Sequence, residues 1–165
     1  MKFIATKELG KLCKWLRIMG YDASYFPEAE KRELIIKSLQ EERIILTRDS
    51  KMSVYSGVRM LHIKSDFVED QLKQIMAELG IRPRRDKFFT VCVICNTPLK
   101  NVKKSEIKDK VPPYVYQTQD SFMKCNICER IYWQGTHWTK VGEFVDGLGL
   151  DVRTEHKSTR TQEHK

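Results

Sequence analysis

Four of the five cysteines fall into two Cys-x-x-Cys pairs, Cys92-Val93-Ile94-Cys95 and Cys125-Asn126-Ile127-Cys128, with 29 residues between them. Each pair offers two thiolates from one tight turn, and two such turns supply the four soft donors that zinc takes in a tetrahedron. The spacing predicts a zinc ribbon whose metal is structural, because four thiolates leave no coordination position open for water. His137, in the run Tyr132-Trp133-Gln134-Gly135-Thr136-His137-Trp138, is read as a packing or surface residue beside aromatics that complete the ribbon's core. Cys13 lies in a helical pattern and is read as a buried small hydrophobe. An odd cysteine count at metal-ligand spacing points to a reducing compartment, so the protein is expected in the cytoplasm.

A second set of chemistry-bearing residues is acidic, and the strands deliver it. Arg43-Ile44-Ile45-Leu46-Thr47 reads as the clearest strand, apolar on both faces as a central parallel strand is, and it ends in Arg48-Asp49. Around it, residues 2–5 and 21–26 read as strands, and residues 7–20 as a helix closed by Gly20. Leu9, Leu12, Cys13, Leu16 and Met19 share one face of that helix, with Lys7, Lys11, Lys14 and Arg17 mostly off it. Residues 28–41 read as a second helix with Leu34, Ile35 and Leu39 inward, and residues 58–63 as a further strand. Asp66-Phe67-Val68-Glu69 has the form of a capping box, opening a helix that runs to Gly80.

Alternating strand and helix over residues 1–80 predicts a small parallel α/β sheet flanked by helices. Ligands of such sheets gather at the carboxyl ends of the strands, which singles out Thr6, the region of Asp22, Asp49 and the vicinity of Asp66. Residues 81–89, with Arg82, Arg84 and Arg85, read as a basic linker. Residues 90–138 read as the ribbon, and residues 139–165 as a C-terminal extension ending in a largely disordered tail.

Lys and Arg number 30 against 22 Asp and Glu, a formal charge of +8. That surplus favours polyanionic partners, because phosphate contacts release counterions and steer association. No apolar run approaches the roughly 20 residues of a membrane span, so no membrane partner is expected.

The motifs Phe3-Ile4-Ala5, Leu9-Gly10-Lys11-Leu12, Trp15-Leu16-Arg17, Gly20-Tyr21-Asp22 and Ile44-Ile45-Leu46-Thr47-Arg48-Asp49 form a recognisable series. With Cys92-x-x-Cys95-Asn96, Cys125-x-x-Cys128 and Tyr132-Trp133-Gln134-Gly135-Thr136-His137, the chain resembles the Mut-seven C-terminal ribonuclease domain over residues 2–138. The resemblance implies a PIN-like sheet with an appended zinc ribbon, RNA as substrate, and carboxylates holding magnesium or manganese for cleavage. This chain departs from the pattern at two acidic positions. Thr6 stands where an aspartate follows the first strand, and Lys31 where another opens the second helix. Asp49 is retained, and Asp66 or Asp70 is placed to meet a further acidic position.

A lysine ammonium at such a site opposes cation binding by direct repulsion. The expectation is therefore an RNA-binding member of the PIN-like family without catalysis. It would contact structured RNA, such as tRNA, ribosomal RNA or a ribonucleoprotein like the ribosome. Lys7, Lys11, Lys14, Arg17, Lys31, Arg48, Arg84 and Arg85 would make the phosphate contacts. One alternative is an active ribonuclease that uses Asp49 with Asp22, Glu30 or Asp66 and binds magnesium or manganese. The other is an adaptor whose ribbon docks on a protein partner.

Overall fold

The computed structural model describes residues 1–28 and 30–153. Its first layer is a parallel sheet of β1 (Lys2–Thr6), β2 (Asp22–Phe26), β3 (Ile44–Thr47) and β4 (Met60–His62), in the order β2-β1-β3-β4. All four residues of β3 are buried, as are Phe3 to Thr6 of β1, which is what central strands covered on both faces require. The helices are α1 (Gly10–Ile18), α2 (Lys31–Glu41) and α3 (Val68–Leu79). Phe3, Ala5, Ile44 and Leu46 pack with the apolar faces of α1 and α3 on one side of the sheet. Ile4 and Ile45 point to the other side, against Leu34 of α2 and against Met52 and Val58 of the loop before β4. Alternation along single strands thus builds two cores from one sheet.

A second sheet is antiparallel, with β5 (Lys100–Val102), β6 (Phe122–Lys124) and β7 (Ile131–Trp133) in sequence order. The insert between the cysteine pairs folds α4 (Pro113–Thr118) over it, and Ile107, Val111, Val115 and Phe122 form a small separate core. The chain then returns to the first layer as α5 (Thr136–Gly147), burying Val141, Val145 and Leu148 in the α1–α3 core.

Segments set apart above by composition are therefore joined by packing. Phe88, within residues 81–89, is 2% exposed in the same core, and the Phe89 N–H donates to the Ile18 carbonyl at 2.8 Å. Gly20 marks this close approach, because at φ 84° a Cβ would lie 2.2 Å from the Lys87 carbonyl oxygen. Residues 139–147, read above as part of an extension, belong to α5. The expected disorder of the final tail lies mostly in residues 154–165, outside the described residues.

Two local expectations are corrected. Leu39 is 49% exposed, and Ser38 is the buried residue at that end of α2, its hydroxyl donating to the Arg43 carbonyl at 2.7 Å. The capping box does not form, for Phe67 is the N-cap of α3 and no side chain caps it. Ser65 Oγ instead accepts the Phe67 N–H and donates to Asp70. Among the described residues no helix is long and apolar enough to cross a membrane.

Candidate functional site

The order β2-β1-β3-β4 reverses direction at β1, so the loops after β1 and β3 lead away to opposite sides and leave a crevice between them. A cleft of about 250 Å³ opens there, lined among others by Thr6, Lys7, Lys31, Thr47 and Asp49. Thr6 ends β1 with its hydroxyl turned back to the Leu46 carbonyl at 3.4 Å. Asp49 follows β3, held by its own turn. Its N–H donates to Thr47 Oγ1 at 3.1 Å, and its Oδ1 accepts the Lys51 N–H at 2.9 Å.

Lys31 is the first residue of α2, and its Nζ lies 2.8 Å from Asp49 Oδ2. The Lys31 hydrogen bond and the Lys51 N–H hold the Asp49 carboxyl below the usual carboxylate range, and Asp49 in turn raises Lys31. The ammonium thus stands beside the aspartate that follows β3. Glu8, Glu28 and Glu30 also line the cleft. Among the described residues the four ribbon cysteines are the one group of three or more His, Cys, Asp or Glu side chains gathered closely enough to hold a metal. Asp49 thus stands in the cleft with Lys31 on its Oδ2 and without two further acidic ligand atoms of the described residues gathered close to it.

The other proposed carboxylates lie elsewhere. Asp22 opens β2 opposite Lys2 of β1, at the amino end of the sheet, so it shares nothing with Asp49. It accepts hydrogen bonds from Arg43 Nη1 at 2.6 Å and from Asn96 Nδ2 at 2.6 Å. Burial acts to raise its pKa, but the bonds from Arg43 and Asn96 prevail and hold it below the ordinary value. A depressed native pKa contributes stability above the unfolded value of about 3.8, and that stability is lost as pH falls through the native one. Acid unfolding of Asp22→Asn is therefore expected to be less steep below about pH 4 than that of the parent, followed by circular dichroism. Asp66 is on the surface, paired with Arg48.

The basic residues divide in the same way. Lys7 is exposed at the cleft, and Lys11 and Lys14 are exposed on the outer face of α1. Arg84 and Arg85 are paired with Asp86 and Asp146. Arg17 is only 8% exposed, which removes it from the phosphate contacts. Its Nε donates to the Ala23 carbonyl at 2.7 Å, and its Nη1 to the carbonyls of Val93 and Ile94 at 2.8 and 2.9 Å. One guanidinium therefore ties α1, the edge strand β2 and the first cysteine turn together. Asn96 adds to this join, because its Oδ1 accepts the Ala23 N–H at 2.9 Å, covering part of the open edge of β2.

The four cysteine Sγ atoms all lie within 4.8 Å of one another, with Cys92 and Cys128 3.7 Å apart. Tetrahedral zinc–sulfur bonds of about 2.3 Å require sulfur separations of about 3.8 Å, so the donor set fits such an ion. The two turns are built alike. The Asn96 N–H returns to the Cys92 carbonyl and the Glu129 N–H to that of Cys125, with both residues left-handed at φ 58° and 60°. N–H groups of Cys95 and Ile127 point at the sulfurs of Cys92 and Cys125. Burial opposes the Cys125 thiolate, but Thr97 Oγ1 and backbone N–H groups bring its pKa down to about 6. Tyr132 Oη lies 3.2 Å from Cys92 Sγ, so this aromatic serves the cysteine centre. Trp138 packs on Phe89, and His137 is exposed and outside the sulfur cluster.

A doubly wound parallel layer with a cleft at its switch point, latched to a four-cysteine ribbon, defines the structural class. Within it, residues 1–145 match the Mut7-C RNAse domain, and the chain belongs to that family. Comparisons with curated proteins and with solved structures gave no match.

Proposed function

We propose that this protein binds structured RNA, of the kind found in tRNA or ribosomal RNA, without metal-dependent cleavage, and that zinc in its four-cysteine centre is structural. The observation that carries the reading is the 2.8 Å ion pair of Lys31 with Asp49, at the point where the family chemistry calls for a cation. An ammonium there supplies positive charge beside Asp49 and opposes the approach of a second cation such as magnesium. RNA as the ligand is supported by the family and by the +8 charge, with Lys7 and Arg48 exposed at the carboxyl end of the sheet and Lys11 and Lys14 exposed on α1. A four-thiolate metal centre suits a reducing compartment such as the cytoplasm.

One observation favours the second reading, an active ribonuclease. Glu8, Glu28 and Glu30 reach the same cleft and could join Asp49 if Lys31 swung away. Titration with manganese, followed by paramagnetic broadening of the Asp49 amide, separates the two. The parent protein is expected to show no saturable broadening, whereas Thr6→Asp with Lys31→Asp gains a site in the micromolar to millimolar range, on the order of typical carboxylate sites. Saturable broadening in the parent contradicts the proposal.

A further inference from the structure

We infer that the pocket between the carboxyl ends of β3 and β4 is a binding site for a phosphoryl group. Resting on the RNA reading above, that group is a backbone phosphate of the bound RNA. The pocket, about 380 Å³, is lined by Arg48, Ser50, His62, Ile63 and Lys64. It is distinct from the switch-point cleft, because Arg48 and Asp49 follow β3 in succession and line different cavities. Thr47 pairs with His62 across the two strands, so Arg48 and the residues after His62 leave the sheet side by side.

The lining is a set of donors suited to an oxyanion. Arg48 offers a planar fork that matches two phosphate oxygens, Lys64 a point charge, Ser50 a hydroxyl and His62 a ring N–H. The backbone around them is held in place from α3. Gln74 Nε2 donates to the His62 carbonyl at 2.7 Å, and Gln74 Oε1 accepts the Lys64 N–H at 3.0 Å. On the loop side, the Asp49 turn fixes residues 49–51. His62 Nδ1 is the one buried side-chain nitrogen or oxygen among the described residues that has no hydrogen-bond partner. Buried polar atoms are nearly always satisfied, and a rotation of the His62 ring toward the pocket it lines would give this nitrogen an oxyanion partner.

The acidic neighbours are weak competitors. Asp66 pairs with Arg48 from a side chain that is 73% exposed, and Glu78 stands 4.0 Å from Lys64. Exposed pairs of this kind contribute little, and a backbone phosphate, with one charge shared by two free oxygens, can bridge Arg48 and Lys64 in their place.

The test uses the full zinc-loaded chain and two probes, inorganic phosphate and a labelled structured RNA, with the His62 ring nitrogens followed by NMR. Saturable movement of those resonances by phosphate is the expected result. Because Arg48 and Lys64 are exposed, their exchange leaves the fold in place. In Arg48→Gln with Lys64→Gln, the slope of log affinity for RNA against log salt is expected to fall by about 2, one for each cation removed. RNA binding unchanged in that variant, with His62 indifferent to phosphate, overturns the pocket and leaves the RNA reading standing. Phosphate binding at His62 without any RNA affinity supports the pocket and overturns the RNA reading. A protein that responds to neither probe overturns both.

Discussion

The Cys125→Ser protein is expected to lose its metal and, with it, the folded state of the second sheet. Four short elements, β5 to β7 and α4, rest on a core of little more than Ile107, Val111, Val115 and Phe122. A core so small rarely supports a fold alone, and a structural zinc ion contributes on the order of 10 kcal/mol in comparable units. Loss of one thiolate therefore exceeds what the remaining contacts supply. The damage is expected to spread, because the carbonyls of Val93 and Ile94 that hold Arg17 belong to the first cysteine turn. The check is metal content by mass spectrometry beside near-ultraviolet circular dichroism, where Trp133 packs on that core. One zinc per parent chain and none in the variant, with collapse of the aromatic signal, is the predicted pair of results. A variant that keeps both its metal and its signal contradicts the assignment of the four sulfurs.

Arg17→Met is expected to destabilise the protein by about 3 kcal/mol with its RNA affinity unchanged. The thioether replaces the apolar stem, but three carbonyls lose a charged donor, and two of them lie in the ribbon. Hydrogen bonds to a charged group are worth about 1.5 to 3 kcal/mol each, and the acceptors left behind are desolvated. For a chain of this length that amounts to a fall in melting temperature of roughly 6–12 °C. Arg17→Lys is expected to recover little of it, since one ammonium cannot reproduce the fork that reaches from Ala23 to Val93 and Ile94. Thermal unfolding and an RNA titration on the same samples decide the matter. Weakened RNA binding at unchanged stability would return Arg17 to the phosphate contacts.

Arg17 also shows where sequence reasoning reached its limit. The residue lies four positions after Cys13, on the edge of the buried stripe, and that spacing was the only local sign that it faces inward. Its acceptors are 76 and 77 residues away, beyond the reach of any periodicity. Asp22 is the same case. Counted with the residues at the carboxyl ends of the strands it reads as a ligand, yet it opens β2, and its partners Arg43 and Asn96 make it a joint between layer and ribbon. Features that depend on one segment alone were legible. The strand over residues 43–47 stood out because both its faces are apolar, the cysteine ribbon because zinc ligation dictates the spacing, and the helix ends because Gly20 and Gly80 close them. The return of α5 to the first layer was hidden, since Val141, Val145 and Leu148 reveal an apolar face and not its destination.

At the switch-point cleft the sequence was more informative than at the joint, because the chemistry there turns on residue type. Lys31, at a position where the resemblance implies an acid, is visible in the chain, and the structure adds that its ammonium meets Asp49. The opposite charges that hold this pair are the charges a metal site would have to separate.

The most direct test of that claim is a single gel in which the zinc-loaded protein meets labelled tRNA and ribosomal RNA, with and without manganese, beside its Asp49→Ala variant. Salt-sensitive binding with intact RNA in every lane is the predicted result, with or without manganese. Manganese-dependent cleavage by the parent, lost in Asp49→Ala, would contradict it and restore a working nuclease to the cleft.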